Sequence, residues 1–366
     1  MKQNPLNHLS TVLVLVAGVT AGLVVNGAEK LARLSDKELV TQYSVKITST
    51  KDGSSQDALF YCPPEVDLKK SGPPMPLLVG LHTWSVSFSM CAKYIPDCQE
   101  RKWVFVAPNF RGGNSRPTAC ASELAIQDVI DAVNYAKQNA RVDPSRIYLI
   151  GGSGGGHMAL MMAAKAPEIW AGVSAWVPIS DLAAWHRQTR DRGLKYAALL
   201  EKCCGGPPGP LTAAEYRARS PINFLPIAKG LPMDLNTGIH DGHAGSVPVS
   251  QALLAFNVLA TANGLPDKQI PVADIDFMVA KEKVPDALAK ESQNDVERRN
   301  TVLFRRVAGA ARITVFEGAH MEEQSAALVW LNRQQKGKPA DFTVPAVSEI
   351  LNTKRGRAVG SDEVAH

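Results

Sequence analysis

The chain has 366 residues, 45% of them hydrophobic, and carries a formal net charge of +5 at pH 7. Its length allows one large domain or two small ones, and its apolar content allows a sizeable core. The basic residues form no dense run except a short cluster at 354–357 in the terminal tail, so we expect no nucleic-acid partner.

The first 28 residues have the pattern of a secretory signal peptide. Lys2 gives a short positive region, residues 11–25 are apolar, and small residues at 26–28 suit cleavage. The apolar stretch is too short to span a bilayer comfortably, and an uncleaved membrane anchor is the alternative. We therefore predict a secreted or periplasmic protein that has no stable membrane association once residues 1–28 are removed.

Six cysteines would then lie in an oxidising compartment: Cys62, Cys91, Cys98, Cys120, Cys203 and Cys204. Cys91 and Cys98 are close enough along the chain for a local bridge, and the spacing leaves the other pairings open. The cysteines form no C-x-x-C pair and no Cys/His spacing typical of zinc. We expect no metal and no cofactor.

In chain order, strand patterns at 43–47 and 58–61 predict an antiparallel hairpin. Apolar runs predict buried strands at 77–81, 103–106, 146–150, 170–177, 232–239 and 311–316. Helical patterns fall between or after them, at 121–138, 158–164, 182–190, 194–201, 249–259 and 322–331. This alternation predicts an α/β protein with a mostly parallel central sheet and helices on both faces.

The segment 146–160, RIYLIGGSGGGHMAL, predicts a strand, a sharp glycine turn and a helix. Gly151, Ser153 and Gly155 take the three fixed positions of a G-x-S-x-G nucleophile elbow. Such a turn exposes the serine hydroxyl at the end of the sheet, and the helix aims its N-terminal amides at the same point. A glycine-rich phosphate loop or an ordinary strand–helix turn is the alternative.

A serine hydroxyl is a weak nucleophile, so it needs a base, and the base needs an acid that holds its tautomer. In an α/β-hydrolase the chain order is serine, acid and histidine, each after a strand. Asp241 and His320 each follow a predicted strand in this order. Asp234 and Glu317 are the competing acids, but Asp234 falls within a strand and Glu317 is only three residues from His320.

Two further histidine features have other interpretations. His157 is too close along the chain to Ser153 to act as its base, so we expect a buried, hydrogen-bonded side chain. His240, Asp241 and His243 resemble a metal cluster, but no further ligand follows at a matched spacing, so we predict no metal at this site.

An oxyanion hole needs two backbone N–H groups. We predict that Gly154, the residue after the serine, supplies one of them. The loop at 82–85 supplies the other, through Trp84 or its neighbour Thr83. The indole of Trp84 either forms a wall of the acyl pocket or packs the loop.

These segments together resemble the catalytic domain of the prolyl oligopeptidase family of α/β-hydrolases, over residues 76–331. The matching segments are HTWS at 82–85, PNFRG at 108–112, QDV at 127–129, GGSGG at 151–155, RSPI at 219–222, Asp241, and GAH at 318–320. The resemblance implies an α/β-hydrolase fold in which Ser153 is the nucleophile, Asp241 the acid and His320 the base.

Three departures from that family bear on the substrate. Gly154 stands where its peptidases usually have an aromatic residue, and HTWS replaces an HGGP-like loop. We also expect no N-terminal propeller, because too few residues precede the first core strand. The resemblance implies a serine peptidase, with a carbohydrate esterase of the acetyl xylan or feruloyl type as the alternative. A non-catalytic binding protein on the same scaffold is the second alternative.

The predicted organisation is a signal peptide at 1–28, an α/β-hydrolase catalytic domain at 29–335 and a polar tail at 336–366. Two insertions interrupt the domain, at about 180–231 and 268–300, and the first of them is a helical lid over the rim of the sheet. The expected substrate is a small molecule, a peptide or a polysaccharide-linked ester.

Overall fold

Nine strands form one sheet in the computed structural model, which describes residues 34–66 and 72–344. In chain order they are β1 (Ser44–Thr48), β2 (Ser55–Tyr61), β3 (Met75–Leu81), β4 (Val104–Pro108), β5 (Val142–Gly152), β6 (Gly172–Trp176), β7 (Met233–Gly238), β8 (Val302–Ala308) and β9 (Ala311–Phe316). Across the sheet the order is β1-β2-β4-β3-β5-β6-β7-β9-β8. The six strands from β4 to β9 in this order are parallel, and the edge strands β1, β2 and β8 pair antiparallel.

Eleven α-helices occur in the same residues. They are α1 (Asp36–Tyr43), α2 (Ile95–Arg101), α3 (Glu123–Asn139), α4 (Gly154–Lys165), α5 (Leu182–Arg190), α6 (Tyr196–Cys204), α7 (Ala213–Ala218), α8 (Ser250–Ala262), α9 (Val272–Lys281), α10 (Asp286–Ala289) and α11 (Gln324–Asn332).

The central strands are buried on both faces. Val79 and Leu149 belong to a core that also contains residues of α3, α4 and α8. Their strand neighbours Leu78 and Tyr148 belong to a second core, with residues of α2 and α11. Because successive side chains of a strand point to opposite faces, helices must cover both sides of the sheet. The predicted α/β fold with a mostly parallel sheet is confirmed.

Several predicted segments lie wholly or partly outside the described residues. The predicted signal peptide at 1–28 is one of them, as are residues 345–366 of the predicted tail. The described part of that tail packs on the domain, where Phe342 stacks on Trp330 with ring centroids 5.8 Å apart. Within residues 34–66 and 72–344, no helix combines the length and the apolar character that crossing a membrane requires.

The predicted lid insertion at 180–231 contains α5, α6 and α7, whose side chains form a third hydrophobic cluster with residues of neighbouring loops. Trp185 and Leu200 of the lid belong to this cluster, together with Trp84 from the loop after β3 and Val247 from the loop after β7. Trp84 and Trp185 make an edge-to-face contact with centroids 4.7 Å apart. The lid is therefore packed against two loops at the rim of the sheet.

The cysteines of this region are close together without a disulfide. Cys120, Cys203 and Cys204 are buried in this cluster as free thiols. Cys91 and Cys98, which the sequence allows to form a local bridge, are separate buried thiols in this structure.

The second insertion is tied to the sheet by buried charges. Six buried side chains form the network: Asp234, Asp295, Arg298, Arg305, Arg312 and Glu323. Arg312 Nε donates to Asp234 at 2.7 Å, and Arg305 donates to Asp295 at 2.7 Å. Although burial opposes its ionisation, the nearby Arg312 holds the pKa of Asp234 below its ordinary value. Three cations and three carboxylates balance, as a buried network requires.

Candidate active site

Ser153 occupies a strained turn between β5 and α4. Its backbone has φ 57° and ψ −118°, a conformation that non-glycine residues adopt only when their surroundings enforce it. Its amide donates to Trp176 O at 2.9 Å, and its carbonyl accepts from His157 N at 2.9 Å, which starts the helix. The side chain opens into a cavity, and the residue is 9% exposed.

His320 and Asp241 meet at the same rim. His320 Nδ1 is 2.7 Å from Asp241 Oδ2. Asp241 Oδ1 accepts from the backbone N–H groups of Gly242 at 2.9 Å and Val247 at 3.0 Å, so this buried carboxylate has a fixed orientation. The loop also passes close by, since a Cβ on Gly245 would lie 2.1 Å from Asp241 Oδ1. Residue 245 therefore has to be glycine, because a side chain there would overlap the Asp241 carboxylate.

Ser153 and His320 line one cavity of about 380 Å³. Its other lining residues are Thr83, Trp84, Ser85, Val86, Lys93, Gly152, Val177, Tyr196, Met321 and Glu322. Within the described residues, no hydrogen bond joins the Ser153 hydroxyl to His320, a contact that often tightens only when substrate binds. The sequence does not predict four of these lining residues as site residues, because no motif marks them: Lys93, Val177, Tyr196 and Glu322.

The competing acids have other partners. Asp234 lies inside β7 and is bound to Arg312 at 2.7 Å. Glu317 is half-exposed and bound to His240 at 2.7 Å. Within the described residues, neither of these two carboxylates contacts His320. The prediction for His157 is confirmed: it is buried, its Nε2 is 2.7 Å from Arg219 O, and burial lowers its pKa to about 4.

Gly154 lies directly against the backbone of Trp84. A Cβ on Gly154 would lie 2.4 Å from Trp84 N and 2.5 Å from Trp84 Cα, so no side chain fits at 154 without moving that loop. The indole of Trp84 is buried against Trp185 and His157 and packs the loop, and the residue also lines the cavity. The close approach gives a physical reason for glycine at 154, where the resemblance described above leads one to expect an aromatic residue.

The Gly154→Ala variant is expected to lower kcat by about 100-fold, the usual effect of losing one oxyanion donor. The added methyl group must displace the backbone at Trp84, and with it the second amide. Hydrolysis of p-nitrophenyl acetate gives kcat, and thermal unfolding reports whether the variant is folded. Gly209→Ala is the matched control, because a Cβ at Gly209 has only one neighbour within 4 Å, at 3.9 Å. Equal losses in the two variants would contradict a specific role for the close approach at 154.

The PNFRG segment at 108–112 packs against the loop that carries Trp84. His82 stacks on Phe110 with ring centroids 3.8 Å apart, and its Nε2 is 2.8 Å from Asn109 O. Arg111 in turn is bound to Asp52 and Asp128, each at 2.7 Å. The His82 contacts fix the loop after β3 relative to the loop after β4, and the Arg111 contacts join the loop after β4 to α3 and to the turn between β1 and β2.

His240 joins the acid and base loops to the second insertion. Its Nδ1 is 3.0 Å from Glu282 at the end of α9, and its Nε2 is 2.7 Å from Glu317 on the loop that carries His320. Within residues 34–66 and 72–344, no group of histidine, cysteine and carboxylate side chains is arranged to hold a metal ion. His240, Glu282 and Glu317 therefore form ion pairs.

Stability is expected to depend on pH through His240. The Glu317 and Glu282 carboxylates raise the pKa of His240 above its ordinary value. Because the folded state favours the protonated form, the stabilisation is complete below the unfolded pKa of about 6.5 and is lost as pH rises through the folded pKa. The effect is small because the groups are partly exposed. Urea unfolding should show a larger deficit for His240→Gln at about pH 6 than at about pH 9. A deficit independent of pH would contradict this.

Comparisons with known proteins agree with this architecture. A family profile described as "Prolyl oligopeptidase family" matches residues 87–275, slightly more than half of the chain. A solved acylaminoacyl peptidase, in complex with Z-Gly-Gly-Phe-chloromethyl ketone, is 16% identical with a TM-score of 0.55, and the match covers 84% of this chain and 43% of that one.

Two further structures show the same fold. The acylaminoacyl peptidase of Pyrococcus horikoshii has 16% identity and a TM-score of 0.55, over 84% of this chain and 43% of its own. A puromycin hydrolase has 17% identity and a TM-score of 0.50, over 79% of this chain and 37% of its own. The chain thus spans less than half the length of these proteins, and the similarity lies in the fold.

Proposed function

Because the chain belongs to the prolyl oligopeptidase family of α/β-hydrolases, we propose that it is a serine hydrolase that cleaves a peptide or ester bond. Ser153 is the nucleophile, His320 the general base and Asp241 the acid that orients the base. The observation that carries this proposal is a shared cavity. Ser153, with its strained backbone, and His320, which is bonded to Asp241, both line this cavity.

The proposed reaction proceeds through an acyl-enzyme. Ser153 Oγ attacks the substrate carbonyl as His320 Nε2 takes its proton, and Asp241 keeps the other ring proton on Nδ1. The N–H groups of Gly154 and Trp84 stabilise the negative charge that develops on the carbonyl oxygen. His320 then donates its proton to the leaving group, and water hydrolyses the ester by the same steps in reverse.

A fluorophosphonate probe tests the assignment of the nucleophile. We expect covalent labelling of the wild-type protein at Ser153, no labelling of Ser153→Ala, and full labelling of Ser115→Ala. Ser115 is an exposed serine outside the cavity and serves as the matched control. Labelling of Ser153→Ala at the wild-type level would exclude Ser153, and absence of labelling together with absence of turnover on activated esters would favour the non-catalytic binding protein.

A peptidase is the leading form of this proposal, and an esterase is the second. The esterase is favoured by Gly154, because the structure has no space there for the aromatic side chain usual in the family's peptidases. The three solved structures described above are named as peptidases or a puromycin hydrolase, so a polysaccharide-linked ester has less support than a peptide or a small ester. Rates on matched ester and amide substrates of one acyl group distinguish the two.

We also propose that the protein is exported to the periplasm or the medium. The support is the charge, apolar run and small residues of segment 1–28. N-terminal sequencing of protein recovered from the exported fraction should begin shortly after residue 28, and recovery of the intact N-terminus in the cytosol would contradict export.

A further inference from the structure

A carboxylate that the proposed mechanism does not use lies in the cavity of Ser153. Glu322 lines this cavity together with Ser153 and His320, and its side chain is only 10% exposed. A charge so nearly buried is costly unless its partners compensate it. The partners of Glu322 therefore show what the carboxylate is able to bind.

Tyr94 fixes the position of this carboxylate. The buried Tyr94 hydroxyl lies 2.7 Å from Glu322 Oε1 and 3.0 Å from Oε2, and it donates its single proton to the carboxylate. Glu322 Oε2 also lies against the elbow, since a Cβ on Gly152 would be 3.1 Å from it. Gly152 immediately precedes Ser153, so Oε2 lies next to the residue before the nucleophile. It has lone-pair capacity left for another donor.

Lys93 is the counter-ion, and it is held far less firmly. Its Nζ is 3.2 Å from Glu322 Oε1 and 4.8 Å from the centroid of the Tyr94 ring, and its side chain is 37% exposed. Lys93 also lines an adjoining cavity of about 290 Å³, whose lining includes Glu297 and Glu323. Contacts made by a partly exposed lysine of this kind add little stability. The adjoining cavity gives Lys93 space to move into if another cation takes its place. The two carboxylates of that cavity are already paired, Glu297 with Arg333 and Glu323 with Arg298.

We propose that Glu322 binds a protonated amine of the substrate, adjacent to the carbonyl that Ser153 attacks, and that this amine displaces Lys93. The inference rests on the proposed function of Ser153. An α-ammonium group is two bonds from the carbonyl carbon, which matches a carboxylate beside the residue preceding the nucleophile. The exchange of one cation for another leaves the charge of the cavity unchanged. The substrate class is aminoacyl esters or peptides that present a free amino terminus.

The test compares the methyl esters of L-alanine and N-acetyl-L-alanine, with released acid measured by pH-stat below the pKa of the free amine. We expect wild-type kcat/KM to be higher for the free amine. In Glu322→Gln the ratio of the two kcat/KM values should fall by about tenfold or more, as for a lost hydrogen bond to a charged group. Glutamine keeps the size of the side chain and still accepts from Tyr94.

Two further variants separate recognition of an amine by Glu322 from recognition of an anion by Lys93. Lys93→Met should lower the KM for the free amine, because no counter-ion has to be displaced, whereas recognition of a substrate anion by Lys93 would predict the reverse. Glu317→Gln is the matched control on the same loop, half-exposed and bound to His240, and it should leave the substrate ratio unchanged.

Binding of L-alaninamide, measured by calorimetry, distinguishes failure of this inference from failure of the proposed function. Binding that is lost in Glu322→Gln supports the amine site even if no ester is hydrolysed. Hydrolysis of both esters with a ratio unaffected by Glu322→Gln overturns the inference and leaves the serine hydrolase proposal intact.

Discussion

Replacing His320 by alanine is expected to lower kcat by about 10⁶-fold, and replacing Asp241 by asparagine by about 10⁴-fold. Without the imidazole, nothing takes the proton of Ser153 as it attacks. Without the carboxylate, His320 loses the partner 2.7 Å from Nδ1 that sets its tautomer. The rates are measured above the buffer background with p-nitrophenyl acetate, and circular dichroism shows that each variant is folded.

His243→Ala is the matched control for the His320 variant. His243 lies on the loop of Asp241, and its Nε2 is 2.6 Å from Val279 O, outside the lining of the cavity. We expect its kcat to stay within about threefold of the wild type, a difference below 1 kcal/mol in activation free energy. A His320→Ala variant that keeps more than about a tenth of wild-type kcat would refute the role of His320 as base.

The second large effect concerns stability. Asp234→Asn is expected to lower the free energy of unfolding by about 3–5 kcal/mol, because it leaves the buried cations Arg312 and Arg298 without their shared carboxylate. The loss should be present at neutral pH and should shrink in acid, since the pKa of Asp234 is held below its ordinary value and the wild type loses the same interaction as that group is protonated.

The free energy of unfolding of Asp57→Asn, measured in urea, is the comparison for Asp234→Asn. Asp57 pairs with Lys46 at 2.7 Å on the surface, with both side chains about half-exposed or more, and its loss should cost less than about 1 kcal/mol. If the two variants are equally stable, the buried network contributes no more than a surface ion pair. A double variant, Asp234→Leu with Arg312→Leu, should lose less than the sum of the single changes, since the two charges are partners.

The sequence predicts the fold well where a strand is buried on both faces. The run that became β3 is continuously apolar, the predicted segments 146–150 and 311–316 fall within β5 and β9, and the helical segment that became α5 has the predicted bounds. Strand β8 is missing from the sequence prediction because Arg305 and Arg306 interrupt its apolar pattern. Arg305 is nevertheless buried, and its guanidinium donates to Asp295, Thr314 and Gln293.

The candidate site divides in the same way. The order of Ser153, Asp241 and His320 follows from the strands that precede them, so the sequence can predict it. The cavity lining cannot be predicted, because Lys93 and Glu322 are more than 200 residues apart and meet only in the folded chain. The reason for glycine at 154 is equally invisible, because it depends on the path of the loop at 82–85.

The shared cluster of the lid has a consequence for protein engineering. Trp84, beside the elbow, and Val247, whose amide holds Asp241, are both packed by lid residues. Trp185 of the lid also donates its indole N–H to Ser246 O at 2.8 Å. The lid is thus not an exchangeable module: a graft that lacks Trp185 removes the support of two loops at once. Swapping lids to alter specificity will succeed only when the grafted segment carries its own side chains for Trp84 and Val247.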